Sequence, residues 1–367
     1  MSDDVKRSIK ESSLIELADS LRQKTGSEDK IEWQSLVTSI KSAIESSGAS
    51  APNGKEWTLS NITDSMRCAK FANGLWVACG ANGLYYSEDN GKTWTQSVST
   101  SGTMFCVEYY HGRWYSGGNK ELYYSDDGKT WKEVTSLDTS LPNIYTILCM
   151  NTGSALRYLA VGVNGIWYST NGTSWTASST SFTASSGNGA RDGAVALNTC
   201  SVVATDGGIY YTTNATSFTS VSTTTSYKFK VIRSANGINI AADDAGGIWY
   251  SVSGKSSWSK KTTLTTAAND IYFAEGLWVV TYDGGVAYSI NGTSWTAVEF
   301  TGFGVGKAVC HANGVWCVGG ATGLAYSFTD VKSLQMSNLT ENVIHIAFGN
   351  GMWIASTGAG IYYSQAS

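Results

Sequence analysis

The chain has 367 residues, a formal net charge of −4 and only 15% charged residues, with 40 Gly, 14 Trp and 20 Tyr against 2 Pro. The acidic balance argues against nucleic acid as the main partner, since phosphate binding needs a concentrated basic surface. No run of about 18 apolar residues occurs, so no membrane-spanning helix is expected.

The start, Met1-Ser2-Asp3-Asp4, is polar and acidic and lacks the basic segment and apolar stretch of a secretion signal. Leu14, Ile15, Leu17, Ala18 and Leu21 then space as one face of an amphipathic helix. Ser13 with Glu16 reads as its capping box and Gly26 as its stop. Trp33, Leu36, Val37, Ile40 and Ile44 predict a second helix. Two short helices bury little surface alone, so residues 1–47 are expected to form an attachment or oligomerisation domain that packs on another copy or a partner. Residues 48–54 read as a linker by composition.

From residue 55 to 367 the chain repeats. Met104 to Tyr110 reads as a strand, His111-Gly112 as a turn, Arg113 to Gly118 as a second strand and Leu122 to Ser125 as a third. Asp126 to Lys129 turns the chain again, and Thr130 to Val134 is the fourth strand. The third strand is the ruler. It recurs as Tyr86-Ser87, Tyr124-Ser125, Tyr168-Ser169, Tyr211-Thr212, Tyr250-Ser251, Tyr288-Ser289, Tyr326-Ser327 and Tyr363-Ser364, at intervals of 37 to 44 residues. A period near 40 with four strands per unit predicts an all-β, eight-bladed β-propeller of four-stranded antiparallel blades. Seven blades is the alternative if one unit is irregular. The last unit lacks a fourth strand, whereas Asn53-Gly54-Lys55-Glu56-Trp57 has the turn-plus-Trp form with no third strand before it. The strand at Trp57 is therefore expected to complete the last blade and close the ring.

Ser87-Glu88-Asp89-Asn90-Gly91-Lys92-Thr93-Trp94 has the form Ser-x-Asp-x-Gly-x-Thr-Trp. It resembles the Asp-box (BNR) repeat of sialidases and many other propellers. Ser125, Asp127, Gly128 and Trp131 form a version one residue shorter, and Asn171 with Trp175 and Asn291 with Trp295 use Asn in place of Asp. Asp or Asn can accept from backbone two residues on, Gly takes positive φ, and Trp covers the hairpin. The role expected is structural. The resemblance places these turns on the face opposite the ligand site. The N-terminal run Leu14 to Gly26, with its Ala18-Asp19-Ser20-Leu21-Arg22-Gln23-Lys24-Thr25-Gly26 core, resembles a segment at the head of bacteriophage tail and tail-fibre proteins. That resemblance implies a virion protein, made in the bacterial host cytoplasm, whose residues 1–47 meet other tail or baseplate proteins.

A sialidase-like site would need an arginine cluster for a carboxylate. Only Arg67, Arg191 and Arg233 fall at or near first strands, and the Arg-Ile-Pro motif of that family is absent. His111, His311 and His345 lie in different units without ligand spacing, and the seven cysteines contain no Cys-x-x-Cys pair, so no metal, cofactor or catalytic residue is expected. Those cysteines (Cys68, Cys79, Cys106, Cys149, Cys200, Cys310 and Cys317) read mostly as buried small hydrophobes. The second-to-third turns carry Asn82, Asn119, Asn164, Asp206, Asp243, Asp244, Tyr282 and Asp283, which become the candidate ligand-binding residues. Turn chemistry is the competing explanation for each.

The sequence thus predicts a tail-associated receptor-binding protein for host attachment. It would bind a host-surface ligand, a glycan (carbohydrate) or protein, without catalysis and as a homo-oligomer. A glycan-cleaving tail enzyme and a purely structural tail propeller are the alternatives.

Overall fold

The computed structural model describes residues 54–135, 143–153, 155–163, 165–180, 190–196, 200–205, 207–300 and 302–364. The attachment domain expected over 1–47, with its two helices, lies outside the described residues. The described strands form eight four-stranded antiparallel sheets. In chain order these are blade 1 (66–99), blade 2 (104–133), blade 3 (144–177), blade 4 (190–220), blade 5 (229–263), blade 6 (268–299), blade 7 (306–336) and blade 8 (343–364). Blade 8 takes its fourth strand from Trp57–Leu59, with Trp57 opposite Ser364, Thr58 opposite Tyr363 and Leu59 opposite Tyr362. Among the described residues the only helical segment is a 3-10 turn at Ser222–Thr224.

The order of burial follows from the position of each strand. Each first strand neighbours the first strands of the blades before and after it, and that of blade 8 returns to that of blade 1, so the first strands ring a central axis. Second strands lie between two neighbouring sheets. Leu75–Gly80, Val315–Gly320 and Met352–Thr357 are buried at every residue, as continuous apolar runs require when both faces are covered. Trp76, Trp114, Trp278 and Trp353 fill the spaces between blades there. Fourth strands such as Lys132–Glu133 and Gln335–Met336 are exposed at the rim.

All eight first strands carry a bulge at their second residue. In blade 1, Met66 pairs with Gly80 and Cys68 with Cys79, leaving Arg67 as the extra residue. A bulge increases local twist and leaves a backbone N–H without its ladder partner. Opposite the bulge the second strand is pressed close: a Cβ on Gly80 would lie 2.5 Å from the Ser65 carbonyl oxygen. The tightest turns begin third strands, where Gly83 has φ +132° and a Cβ there would meet the Val98 carbonyl oxygen at 1.9 Å.

The third-to-fourth turns show why Ser, Asp or Asn, and Gly recur. Ser87 Oγ accepts from Gly91 N at 2.8 Å, and Asp89 accepts from Thr93 N at 2.8 Å. Asp127 accepts from Lys129 N and Thr130 N at 2.8 and 2.7 Å. Asn171 and Asn291 each accept two backbone N–H groups at 2.9 Å in the same place. Trp94, Trp131 and Trp295 donate their indole N–H to the turn glycine's carbonyl. Trp175 departs from this pattern: its buried Nε1 has no partner. The turn glycines also meet the preceding blade, Gly91 against Ile354, Gly128 against Leu75 and Gly172 against Tyr115. These turns therefore join blades as well as closing hairpins.

A second join was not legible in the sequence. Asn61, in the connection from blade 8 to blade 1, accepts from Trp94 N and donates to Trp94 O, both at 2.8 Å. Asn338 does the same for Trp57 across blades 7 and 8, at 2.7 and 3.2 Å. Thr180 does it for Phe218 in blade 4.

Backbone donation from Thr130, and then from Lys129, holds the Asp127 carboxyl down at about 2. A carboxylate with a depressed value stabilises the fold above its ordinary value of 3.8, and that contribution is lost as pH falls towards 2. Asn fills the same place in blades 3 and 6. Asp127→Asn is therefore expected to fold normally at pH 7 and to lose less stability than the parent between pH 4 and 2. Urea unfolding across that pH range checks this; parallel acid limbs would contradict it.

Candidate functional site

The meander gives the ring two unlike faces. First-to-second and third-to-fourth turns share one, as the side-chain bond between Asn90 in blade 1 and Asn350 in blade 8 demonstrates (3.2 Å). Second-to-third turns and blade connections share the other. There Ala81 N donates to Ser65 O, Asn119 N to Thr103 O and Gly358 N to Asn342 O.

The turn residues singled out from sequence lie on this second face, distributed around the ring and not gathered into one pocket. Asn82, Asn119, Asp244 and Asp283 are exposed. Asn164 and Asp206 lie outside the described residues, as do residues 136–142 and 181–189 of the connections that leave blades 2 and 3. Asp243 and Tyr282 are buried, at 0% and 4% exposure, and are corrected here to framework residues. The Asp243 carboxylate accepts from Ala245 N, Gly247 N and Trp249 Nε1, at 3.0, 2.7 and 2.8 Å, with Lys260 Nζ at 3.4 Å. It has no capacity left for a ligand. Tyr282 packs in the core between blades 5 and 6.

The geometry draws attention instead to the bulges. First strands begin at the second face, so their second residues circle the axis there: Arg67, Phe105, Tyr145, Arg191, Lys230, Asn269, Lys307 and Ile344. Four of their side chains run from blade to blade. Phe105 and Tyr145 stack with ring centroids 5.1 Å apart. Asn269 Nδ2 reaches Gly306 O at 2.8 Å, and Lys307 Nζ reaches Asn342 Oδ1 at 2.7 Å. Arg67 is exposed and Lys230 half-buried, and among the described residues neither has a hydrogen bond or ion pair. The Arg191 side chain lies outside the described residues.

One layer further in, charged side chains pair across blades. Lys70 pairs with Glu108 across blades 1 and 2. Arg233 pairs with Asp192 and, at 3.2 Å, with Asp270, bridging blades 4, 5 and 6. Asp192 and Asp270 also accept backbone N–H groups of the next first strand, Ile232 N and Val309 N, each at 3.0 Å. Burial lifts the Glu108 and Asp270 carboxyls above their ordinary values, with Lys70 and Arg233 offsetting only part of the lift. Cys68, expected to be a plain hydrophobe, lies 3.9 Å from His345 Nε2 in this layer. Of the arginines at first strands, Arg67 and Arg191 thus occupy the outer ring, whereas Arg233 is bound to two carboxylates. The described residues contain no group of His, Cys, Asp or Glu arranged to hold a metal ion.

No protein-family model matches the chain, and no curated protein matches it. Solved structures do. The computationally designed Ika8 protein aligns with a TM-score of 0.67 at 11% identity, covering 84% of this chain and 99% of that one. The domain is a β-propeller. YCF48 bound to D1 peptide aligns at 0.57 with 15% identity over 87% of this chain and 100% of that one. The GH74 enzyme of Niastella koreensis aligns at 0.52 with 18% identity over 80% of this chain and 48% of the enzyme. At such identities the likeness carries the fold alone, and the propeller's own residues must supply the functional reading.

Proposed function

We propose that the chain is a bacteriophage tail-associated receptor-binding protein whose propeller binds a host cell-surface glycan on its second face, without catalysis. One observation carries the reading: on that face the bulges set unpartnered cations and an aromatic pair around the axis, beside turns that differ from blade to blade. Opposite, the recurring side chains are occupied in joining blades. Polar, adaptable turns beside aromatic rings suit sugars. The N-terminal run supports the tail assignment by resemblance. The absence of catalysis is supported by the inner carboxylates, since Glu108, Asp192 and Asp270 each already serve a cation.

The purified full chain is expected to bind bacterial cell walls, and individual sugars on a glycan array, and to release no soluble product from the walls. Released sugar would replace this reading with the glycosidase. Absence of wall or glycan binding, with firm incorporation into tails, would replace it with the assembly propeller. One feature favours that second reading: Val252, Ile290 and Phe328 are exposed at the same place in the third-to-fourth turns of blades 5, 6 and 7.

A further inference from the structure

The eight bulge positions form a chemically biased set. Arg67, Arg191, Lys230 and Lys307 are basic, and none of the eight is acidic, in a chain whose net charge is −4. The bias is not consumed by the fold. Among the described residues Arg67 and Lys230 have no partner, and Lys307 donates to the neutral side-chain amide of Asn342. The layer beneath holds three carboxylates against two cations, and each carboxylate is already committed to Lys70 or Arg233, with Asp192 and Asp270 also accepting backbone N–H groups. Other carboxylates on this face are Glu121, Asp244 and Asp283 on second-to-third turns and Asp64 and Glu341 on blade connections, and among the described residues none forms an ion pair with Arg67, Lys230 or Lys307. Blades 1 and 5 stand opposite each other in a ring of eight, so Arg67 and Lys230 lie on opposite sides of the axis. Unpaired cations set around the axis, above a floor whose carboxylates are already paired, raise the positive potential at this end of the ring. Phe105 and Tyr145 add an apolar surface at the same level.

We infer that this ring is an anion site, and that it takes a phosphate- or carboxylate-bearing surface polymer with the anionic group on the axis and the neighbouring sugar or polyol against Phe105 and Tyr145. The inference rests on the receptor-binding reading and names its ligand class. Arg offers bidentate contacts to either anion, and Lys a point charge.

The test measures binding of the full chain to poly(glycerol phosphate), polygalacturonate, uncharged dextran and a single-stranded oligonucleotide. Binding to one or both of the first two is expected, with the stronger one identifying phosphate or carboxylate. Three or four neutralised charges should cost about tenfold or more in affinity between 50 and 200 mM salt. The double variant Arg67→Gln/Lys230→Gln should lose at least tenfold while melting at the parent temperature, because neither side chain has a partner among the described residues. Lys92→Gln, on the opposite face, should bind like the parent. Equal binding to dextran, salt-independent binding, an unaffected double variant or tighter binding to the oligonucleotide would each overturn the anion site. Cell-wall binding that survives any of these results would leave the receptor reading standing. Polymer binding without any wall binding would remove the receptor reading and leave the anion site.

Discussion

Replacing Asp243 with Ala is expected to lower stability by about 3–5 kcal/mol, the range found when one partner of a buried ion pair is removed. The side chain is fully buried at the end of the second strand Ile238–Asp243. Its loss strands three donors, Ala245 N, Gly247 N and Trp249 Nε1. The bonds to Gly247 N and Trp249 Nε1 are buried, and each unsatisfied buried group costs roughly 1–3 kcal/mol. Lys260 loses its counter-ion as well, although its ammonium keeps the faces of Tyr227 and Trp249, at 4.5 and 5.4 Å from the ring centroids. Two companion variants divide the effect. Asp243→Asn retains an acceptor of the same shape and should cost about 1–2 kcal/mol. Lys260→Met should cost about 1 kcal/mol or less, because the lysine is partly exposed and its half of the pair is screened. Urea midpoints of the three variants give the order. Equal costs for all of them would mean that the charge pair, and not the stranded donors, dominates.

That residue also marks where the sequence stops being informative. Asp243 was legible as a turn residue by its spacing from the Tyr250-Ser251 ruler. Its burial was not, because Trp249 and Lys260 enclose it from later strands that no local pattern connects to it. Asp89, Asp127, Asn171 and Asn291 were readable in full, since the groups they bind lie within four residues along the chain. Their packing against the preceding blade was not, nor were the Asn61–Trp94 and Asn338–Trp57 joins, which span 33 and 281 residues. The bulge ring is the sharpest case. Its members share a place in the register but no residue type, so periodicity carries no trace of them. Arg67 and Arg191 could be assigned to first strands from sequence. Their common position, with Phe105, Tyr145, Lys230 and Lys307, appears only when each first strand is paired with its second. The proposed binding residues thus lie where the repeat is regular in backbone and irregular in side chain.

The same distinction between local and distant partners makes Trp57 the strongest test of ring closure. Trp57→Ala is expected to cost about 3–5 kcal/mol, as buried aromatic truncations do. The indole is 5% exposed, donates to Gly54 O at 2.6 Å and packs in a cluster with Cys317, Leu324, Tyr326 and Leu339 of blade 7 and its outgoing connection and Trp353 of blade 8. Trp94 holds the corresponding place in blade 1, is equally buried and has the same Asn join, so Trp94→Ala should lose a similar amount. The two differ in topology. Trp94 belongs to a blade whose four strands are continuous in the chain, whereas Trp57 anchors a strand that joins blade 8 from the other end of the ring. Loss of Trp57 should release Trp57–Leu59 from Gly360–Ser364 and expose an unpaired strand edge, which favours association with other chains. Hydrogen exchange should therefore accelerate at Gly360–Ser364 in Trp57→Ala but not in Trp94→Ala, and light scattering should rise on warming in the former alone. If both variants melt together with the same exchange pattern and neither associates, the strand at Trp57 contributes packing but does not close the ring. If Trp57→Ala alone opens blade 8, the ring depends on the packing of the Trp57 indole between blades 7 and 8 more than on any repeat it contains.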